Sequence, residues 1–234
     1  HWPITPHSIR HFTQDEDTIR HPPTVAEAFG ALSELRRQGK VRWIGVSNFG
    51  AARLTEALDV CSDLVVNELP WNLLARAIEL DILPFCRQHG VGVLGYMTLM
   101  QGLLADIYPT LKDVPPWQRR TRHFHHRSCD LTRHDMDGAE AETEAALAAI
   151  RAIAREAGMS VPELALKWAL AGDGITCCLV GARTVAELEA NVRAAAEPLE
   201  AGLVEQLQTA TQPLLDALGP SFDYYESPSN DRTR

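Results

Sequence analysis

Ser47 and Asn48 stand side by side at the end of a short apolar run, Ile44-Gly45-Val46. A hydroxyl next to a carboxamide offers donors and acceptors together, a set suited to holding another amide. In a parallel α/β sheet the ligand lies beyond the carboxyl ends of the strands, so a polar pair at that point is placed to grip one. Taken alone, the same pair reads first as an ordinary turn or a helix cap before Ala51. A second grouping has metal-ligating side chains: His123, His125, His126, Cys129, His134 and Asp135. Their spacing matches no paired-ligand pattern, so the expectation is a solvated loop and no metal site.

These groups need a scaffold, and from residue 24 the chain alternates helical and strand periods, the signal for βα units and a parallel sheet. Thr24 caps a predicted helix to about Gln38, with Gly39 as its stop. Predicted strands cover 41–46, 64–69, 91–96 and 175–180. Predicted helices cover 51–60, 78–89, 140–157, a segment capped by Ser160 with Pro162 in its first turn, 184–195 and 200–218. Residues 97–138 break the alternation with a Pro-, Arg- and His-rich stretch longer than a plain connection, the mark of a lid or binding loop. The polar end after Tyr225, within a tail over 219–234, has the composition of a disordered terminus. The expectation is a single domain over 1–234, with no internal repeat.

Bulk properties narrow the function classes. The 234 residues are 45% hydrophobic and 23% charged, ordinary for a folded globular chain. A net charge of -9 argues against a surface that tracks nucleic-acid phosphates. No apolar run approaches the roughly 18 residues of a membrane span, and the first residues carry no signal pattern, so the expected location is cytoplasmic and the expected partners include neither nucleic acid nor membrane. Five cysteines, an odd number with Cys177 and Cys178 adjacent, read as reduced thiols rather than a disulfide framework.

The run Gly39-Lys40-Val41-Arg42-x-Ile44-Gly45-Val46-Ser47-Asn48-Phe49 resembles the fifth-strand signature of the aldo-keto reductases. Further motifs follow in that family's order. His1-Trp2-Pro3 is similar to the end of its fourth strand, 67–74 to the end of strand six, 95–104 to the end of strand seven, and 181–191 to the segment after strand eight. The resemblance implies a (β/α)8 TIM barrel, here partial, with units five to eight and the C-terminal helix but without the first three units. It implies NADPH as cofactor, NAD being less favoured, and a small carbonyl substrate. His1 is implied as the catalytic hydrogen-bond donor, and Ser47, Asn48 and Glu68 as the grip on the nicotinamide carboxamide. Tyr96 would offer its flat face to the ring, although it also reads as a plain core aromatic. Met97, Thr98, Leu99, Gln101 and Gly102 follow it along the cofactor. Arg119, with Arg120 and Arg122, would close over the cofactor phosphate. Gly181, Arg183 and Thr184 would meet the adenosine phosphate at a helix N-terminus, and Glu187 and Asn191, four apart on one face, the adenine edge.

Departures from the family pattern are also legible. Glu68 stands where an amide is common, and an ionised carboxylate only accepts. Met97-Thr98 replaces a frequent Ser-Pro, and Ala190 an acidic residue. The family's catalytic Asp, Tyr and Lys come from its first three strands, and Lys40, Lys112 and Lys167 fall before a strand, in the long loop and in a helix. The expectation is therefore an NAD(P)H-dependent aldehyde or ketone reductase, represented by a partial chain that is inactive alone. One rival is a nicotinamide-binding regulatory subunit resembling the potassium-channel beta subunits. Another is a barrel half that self-associates through open sheet edges.

Overall fold

The computed structural model describes residues 1–10 and 12–234. Two short helices, α1 (Pro6–Ile9) and α2 (Glu16–Arg20), precede α3 (Val25–Arg37). β1 (Ile44–Ser47), α4 (Ala51–Val60), β2 (Leu64–Pro70), α5 (Ile82–Gln88) and β3 (Gly92–Tyr96) then alternate. After the long loop come α6 (Glu140–Glu156), α7 (Val161–Leu170), β4 (Ile175–Cys178), α8 (Val185–Ala196) and α9 (Ala201–Leu218). The strands form one parallel sheet in the order β1-β2-β3-β4. The predicted α/β fold class and all four strands are present.

Local chemistry explains the boundaries. Thr24 and Glu27 form a capping box at the start of α3, and Ser160 accepts the Glu163 N–H at the start of α7. The single helix expected over 78–89 is instead a 3₁₀ turn, Ala77–Leu80, and then α5, broken at Asp81 (φ −146°). Pro84 lies in the first turn of α5, where its missing N–H costs nothing. On the sheet, Gly95 lets β3 approach the segment that follows β2: a Cβ there would lie 3.0 Å from the Cβ of Trp71. Trp71 stacks on Trp168 at 4.6 Å and donates its indole N–H to Ala169 O at 2.8 Å, fastening α7 against the sheet.

Two expectations are corrected. The cluster His123 to Asp135 is not simply a solvated loop: four 3₁₀ turns run through the segment 97–138, and His123, Phe124, Cys129 and His134 are buried. The tail 219–234 is not loose either. Ser221, Asp223, Tyr224, Glu226, Ser227, Arg232 and Thr233 are buried, and Thr233 O accepts the Gly50 N–H at 2.9 Å. Their polarity misled the composition argument, because each charge has a partner. Arg232 makes two hydrogen bonds to Asp223, at 2.7 and 2.8 Å, and lies 3.8 Å over the Trp2 ring.

Among the described residues no helix is long and apolar enough to cross a membrane. All five cysteines are free; Cys61, Cys86 and Cys129 are buried, whereas Cys177 on β4 is exposed.

Candidate cofactor and active site

The carboxyl ends of β1, β2 and β3 converge through side chains. Asn48 Nδ2 donates to Ser47 Oγ at 3.0 Å and to His1 O at 2.9 Å, and Asn48 Oδ1 accepts from the Tyr96 phenol at 2.8 Å. Ser47 Oγ in turn donates to Glu68 O at 3.1 Å, which also accepts the Asn48 N–H at 2.9 Å. Ser47, Asn48, Glu68, Tyr96 and the backbone of His1 therefore form one cluster at the end of the sheet where a parallel fold binds ligands. The Glu68 carboxylate has no side-chain hydrogen bond among the described residues and is half-buried, so its acceptor capacity is open. Burial pushes the Tyr96 phenol far above its ordinary value, which keeps it a hydrogen-bond donor.

The backbone at these tips is unusual. Asn48 (φ 62°), Met97 (φ 58°), Met100 (φ 43°) and Gln101 (φ 52°) are all left-handed without being glycine. For Asn the cost is small; for Met and Gln it is roughly 1 kcal/mol or more each, and such strain collects at functional sites. Two buried asparagines of the 67–74 motif, to which the sequence alone assigns no role, support these turns. Asn67 donates to Phe49 O at 2.8 Å and accepts the Phe49 N–H at 3.4 Å, clamping the residue after Asn48. Asn72 donates to Met97 O at 3.0 Å and accepts the Leu74 N–H at 2.9 Å. An asparagine at an alternating, inward strand position is the signal that would have marked Asn67: a buried amide must find partners.

The remaining expected site residues fall into three places. Thr98 is buried and donates to Leu179 O at 2.8 Å, tying the β3 tip to the end of β4. Gln101 donates to the Tyr225 phenol at 2.6 Å, and that phenol donates to Met97 Sδ at 3.8 Å, so the tail covers this turn. Leu99 packs partly buried against the core, and Gly102 (φ 104°) is held where a Cβ would meet Ile107 and Tyr108. At the start of α8, Thr184 caps the helix by accepting the Glu187 N–H at 3.1 Å. Glu187 accepts the Arg183 N–H at 2.7 Å and lies 3.7 Å from its guanidinium, while Asn191 donates to Gly181 O at 3.5 Å. Gly181, Arg183 and Thr184 are exposed, so a helix N-terminus and a guanidinium face solvent together.

Three loop arginines have separate roles. Arg119 stays within its own loop, its Nε on Val114 O at 2.8 Å and Nη2 on Lys112 O at 2.7 Å. Arg122, expected over a phosphate, is instead buried and pins the tail, donating to Leu218 O and to Ser221 O. Arg120 lies over the Tyr225 ring at 5.6 Å. The histidines divide likewise. His123 Nε2 lies 2.7 Å from Leu74 O, and burial lowers its pKa to about 4. His125, His126 and Asp137 bring their ligand atoms within 4.8 Å of one another, close enough for a metal ion. However, His125 Nδ1 accepts the Arg127 N–H, which puts the ring proton on Nε2, the atom facing Asp137.

A parallel sheet with helical crossovers and a polar side-chain cluster at its strand ends defines an α/β protein whose polar groups gather at the edge where such folds bind ligands. The sequence matches the Aldo/keto reductase family over residues 1–211, and the chain belongs to that family. It is 31% identical over 170 residues to the NADH-specific methylglyoxal reductase of Escherichia coli (strain K12), covering 73% of this chain and 48% of that protein. It is 29% identical over 178 residues to the L-glyceraldehyde 3-phosphate reductase of the same strain, covering 73% and 49%. With the L-galactose dehydrogenase of Arabidopsis thaliana it shares 26% identity over 196 residues, covering 82% and 54%. The chain thus spans about half the length of these relatives. Among solved structures, a thermostable aldo-keto reductase, Tm1743, aligns with a TM-score of 0.59 at 23% identity, covering 80% of this chain and 55% of that one.

Proposed function

We propose that this chain is the cofactor-binding part of an NAD(P)H-dependent reductase of aldehydes or ketones, and that alone it binds cofactor without turnover. The observation that carries the reading is the hydrogen-bonded cluster of Ser47, Asn48 and Tyr96 beside Glu68. Ser47, Asn48 and Glu68 would hold the nicotinamide carboxamide. The second lone pair of Asn48 Oδ1 and the Glu68 carboxylate accept its N–H groups, and Tyr96 supports the ring. When bound, the cofactor supplies the hydride. Met97, Thr98, Leu99, Gln101 and Gly102 shape the adjoining turn, with Arg119 on its loop. Gly181, Arg183, Thr184, Glu187 and Asn191 take the adenosine phosphate end, with Glu187 giving up the Arg183 N–H to the phosphate. Arg183 beside the helix start favours NADPH over NADH.

His1 would orient the substrate carbonyl by hydrogen bonding its oxygen. The resemblance places no Asp, Tyr or Lys of the reaction within these 234 residues, so no acid stands ready to protonate that oxygen. A partial barrel is supported by two apolar surfaces. The α8 stripe of Val185, Leu188 and Val192 is 73%, 55% and 62% exposed, and Leu179 and Val180 follow edge strand β4 into solvent. Further barrel units would cover such faces; without them they promote self-association.

Titration of the purified chain with NADPH and NADH, followed by nicotinamide fluorescence, tests the reading. Binding of NADPH ahead of NADH, with no oxidation of NADPH when an aldehyde is added, is expected. Failure of both cofactors to bind refutes cofactor binding, and turnover refutes inactivity. A regulatory subunit would instead stay without turnover even when an upstream segment bearing Asp, Tyr and Lys is supplied.

A further inference from the structure

A separate cavity of about 270 Å³ opens beside His1. Trp2 and Phe12 form one wall, and both rings edge onto the His1 imidazole, at 6.4 and 5.8 Å between centroids. Tyr225 also lines it, and its phenol accepts from Gln101. At the mouth, Phe12 and Leu131 are 52% and 63% exposed, an apolar entrance. Three of its seven lining residues are aromatic, and two of those rings, Trp2 and Phe12, rest against the His1 imidazole.

Three guanidinium groups also line it: Arg120, Arg133 and Arg232. Two have carboxylate partners. Arg232 is bound bidentately by Asp223, and Arg133 Nε lies 2.6 Å from Glu226. Arg120 has no ion pair among the described residues, and its Nε is buried without a hydrogen-bond partner. Its guanidinium lies over the Tyr225 ring at 5.6 Å. Three cations against two carboxylates leave one positive charge at an aromatic cavity. A donor without an acceptor is destabilising, and a bound anion would supply the missing acceptor.

We propose that this cavity holds the anionic end of the substrate, so that the carbonyl compound presented to His1 carries a carboxylate or a phosphate. The inference rests on the reductase reading above. Arg120 is the recognition residue, with Arg133 and Arg232 raising the local potential. Trp2, Phe12 and Tyr225 clasp the carbon skeleton. The cavity lies just below the roughly 300–1,000 Å³ of sites for drug-sized ligands, so the occupant is small. The two carboxylates lower the net field but are already committed to Arg133 and Arg232.

Calorimetric titration of the chain with 4-carboxybenzaldehyde and with uncharged benzaldehyde tests this, each with and without NADP. The carboxylate compound is expected to bind about ten-fold more tightly, the weight of one charge-assisted hydrogen bond. Arg120→Gln should abolish that preference, and Arg120→Lys should restore part of it. Equal affinities in the unmodified chain, or a preference that survives Arg120→Gln, overturn the proposal. Weakened NADP binding in Arg120→Gln with the aldehyde preference intact assigns the charge to the cofactor phosphates and also overturns it. If NADP never binds but the Arg120-dependent preference is present, the anion site stands and the reductase reading falls.

Discussion

Tyr96 donates its phenolic hydrogen to Asn48 Oδ1 at 2.8 Å, joining the tip of β3 to the tip of β1 across the intervening β2. The contact spans two strand spacings and fixes the amide of Asn48, whose Nδ2 is held at the same time by Ser47 and by His1 O. A left-handed Asn48 and a left-handed Met97 stand at the two ends of this bridge. The site is accordingly preorganised by its own polar contacts.

Removing the bridge should loosen the grip on the cofactor while sparing the fold. Tyr96→Phe keeps the ring face and deletes one hydrogen bond worth about 1 kcal/mol, so NADPH affinity should fall about five-fold. Fluorescence titration measures it. An unchanged affinity would show that Asn48 needs no such support.

Asn67 is the clamp beneath Asn48, and its loss leaves the Phe49 N–H and C=O without their side-chain partner in a buried place. Asn67→Ala should cost about 1–3 kcal/mol and lower Tm by about 5 °C. Cofactor affinity should drop with it. Calorimetric unfolding gives the first readout, and a Tm within a degree of the unmodified chain contradicts the role.

His123 links stability to pH. It is fully buried, and burial depresses its folded pKa to about 4 from an ordinary 6.5. The unfolded chain therefore binds the proton more readily between those values, and stability falls as pH drops through that window. The loss amounts to about 2 kcal/mol at pH 5 relative to pH 7.5. Denaturant unfolding at the two pH values should show it, and His123→Asn should flatten the difference. Equal pH sensitivity in the variant would place the effect on other groups.

What the sequence disclosed follows from what is local. Ile44-Gly45-Val46 and Val91 to Tyr96 read as strands because their apolar runs are short and bounded by glycine or polar residues, and α4 falls at 51–60 as its periodicity predicts. Ser47 and Asn48 were legible as a pair. Their coupling to Tyr96 was not, since it depends on the order of strands in the sheet. The tail is the clearest failure. Arg122 meets Leu218 and Ser221 nearly a hundred residues away, and Asp223 is satisfied by Arg232. Pairings over that separation leave no periodic trace, so a buried polar tail has the composition of a disordered one.

The apolar stripe on α8 bears on assembly. Val185, Leu188 and Val192 are all exposed on one helix face. Concentration-dependent association is expected in size-exclusion chromatography, and Leu188→Lys with Val192→Lys should shift the chain toward monomer. A monomer at all concentrations would argue against self-association through these faces.

The most direct test of the central claim is a crystal structure of the chain with NADP. The account predicts the carboxamide within hydrogen-bonding distance of Asn48 and Glu68, and the nicotinamide ring against Tyr96. A nicotinamide bound away from the β1–β3 tips, or a Tyr96 ring turned from it, would contradict the account.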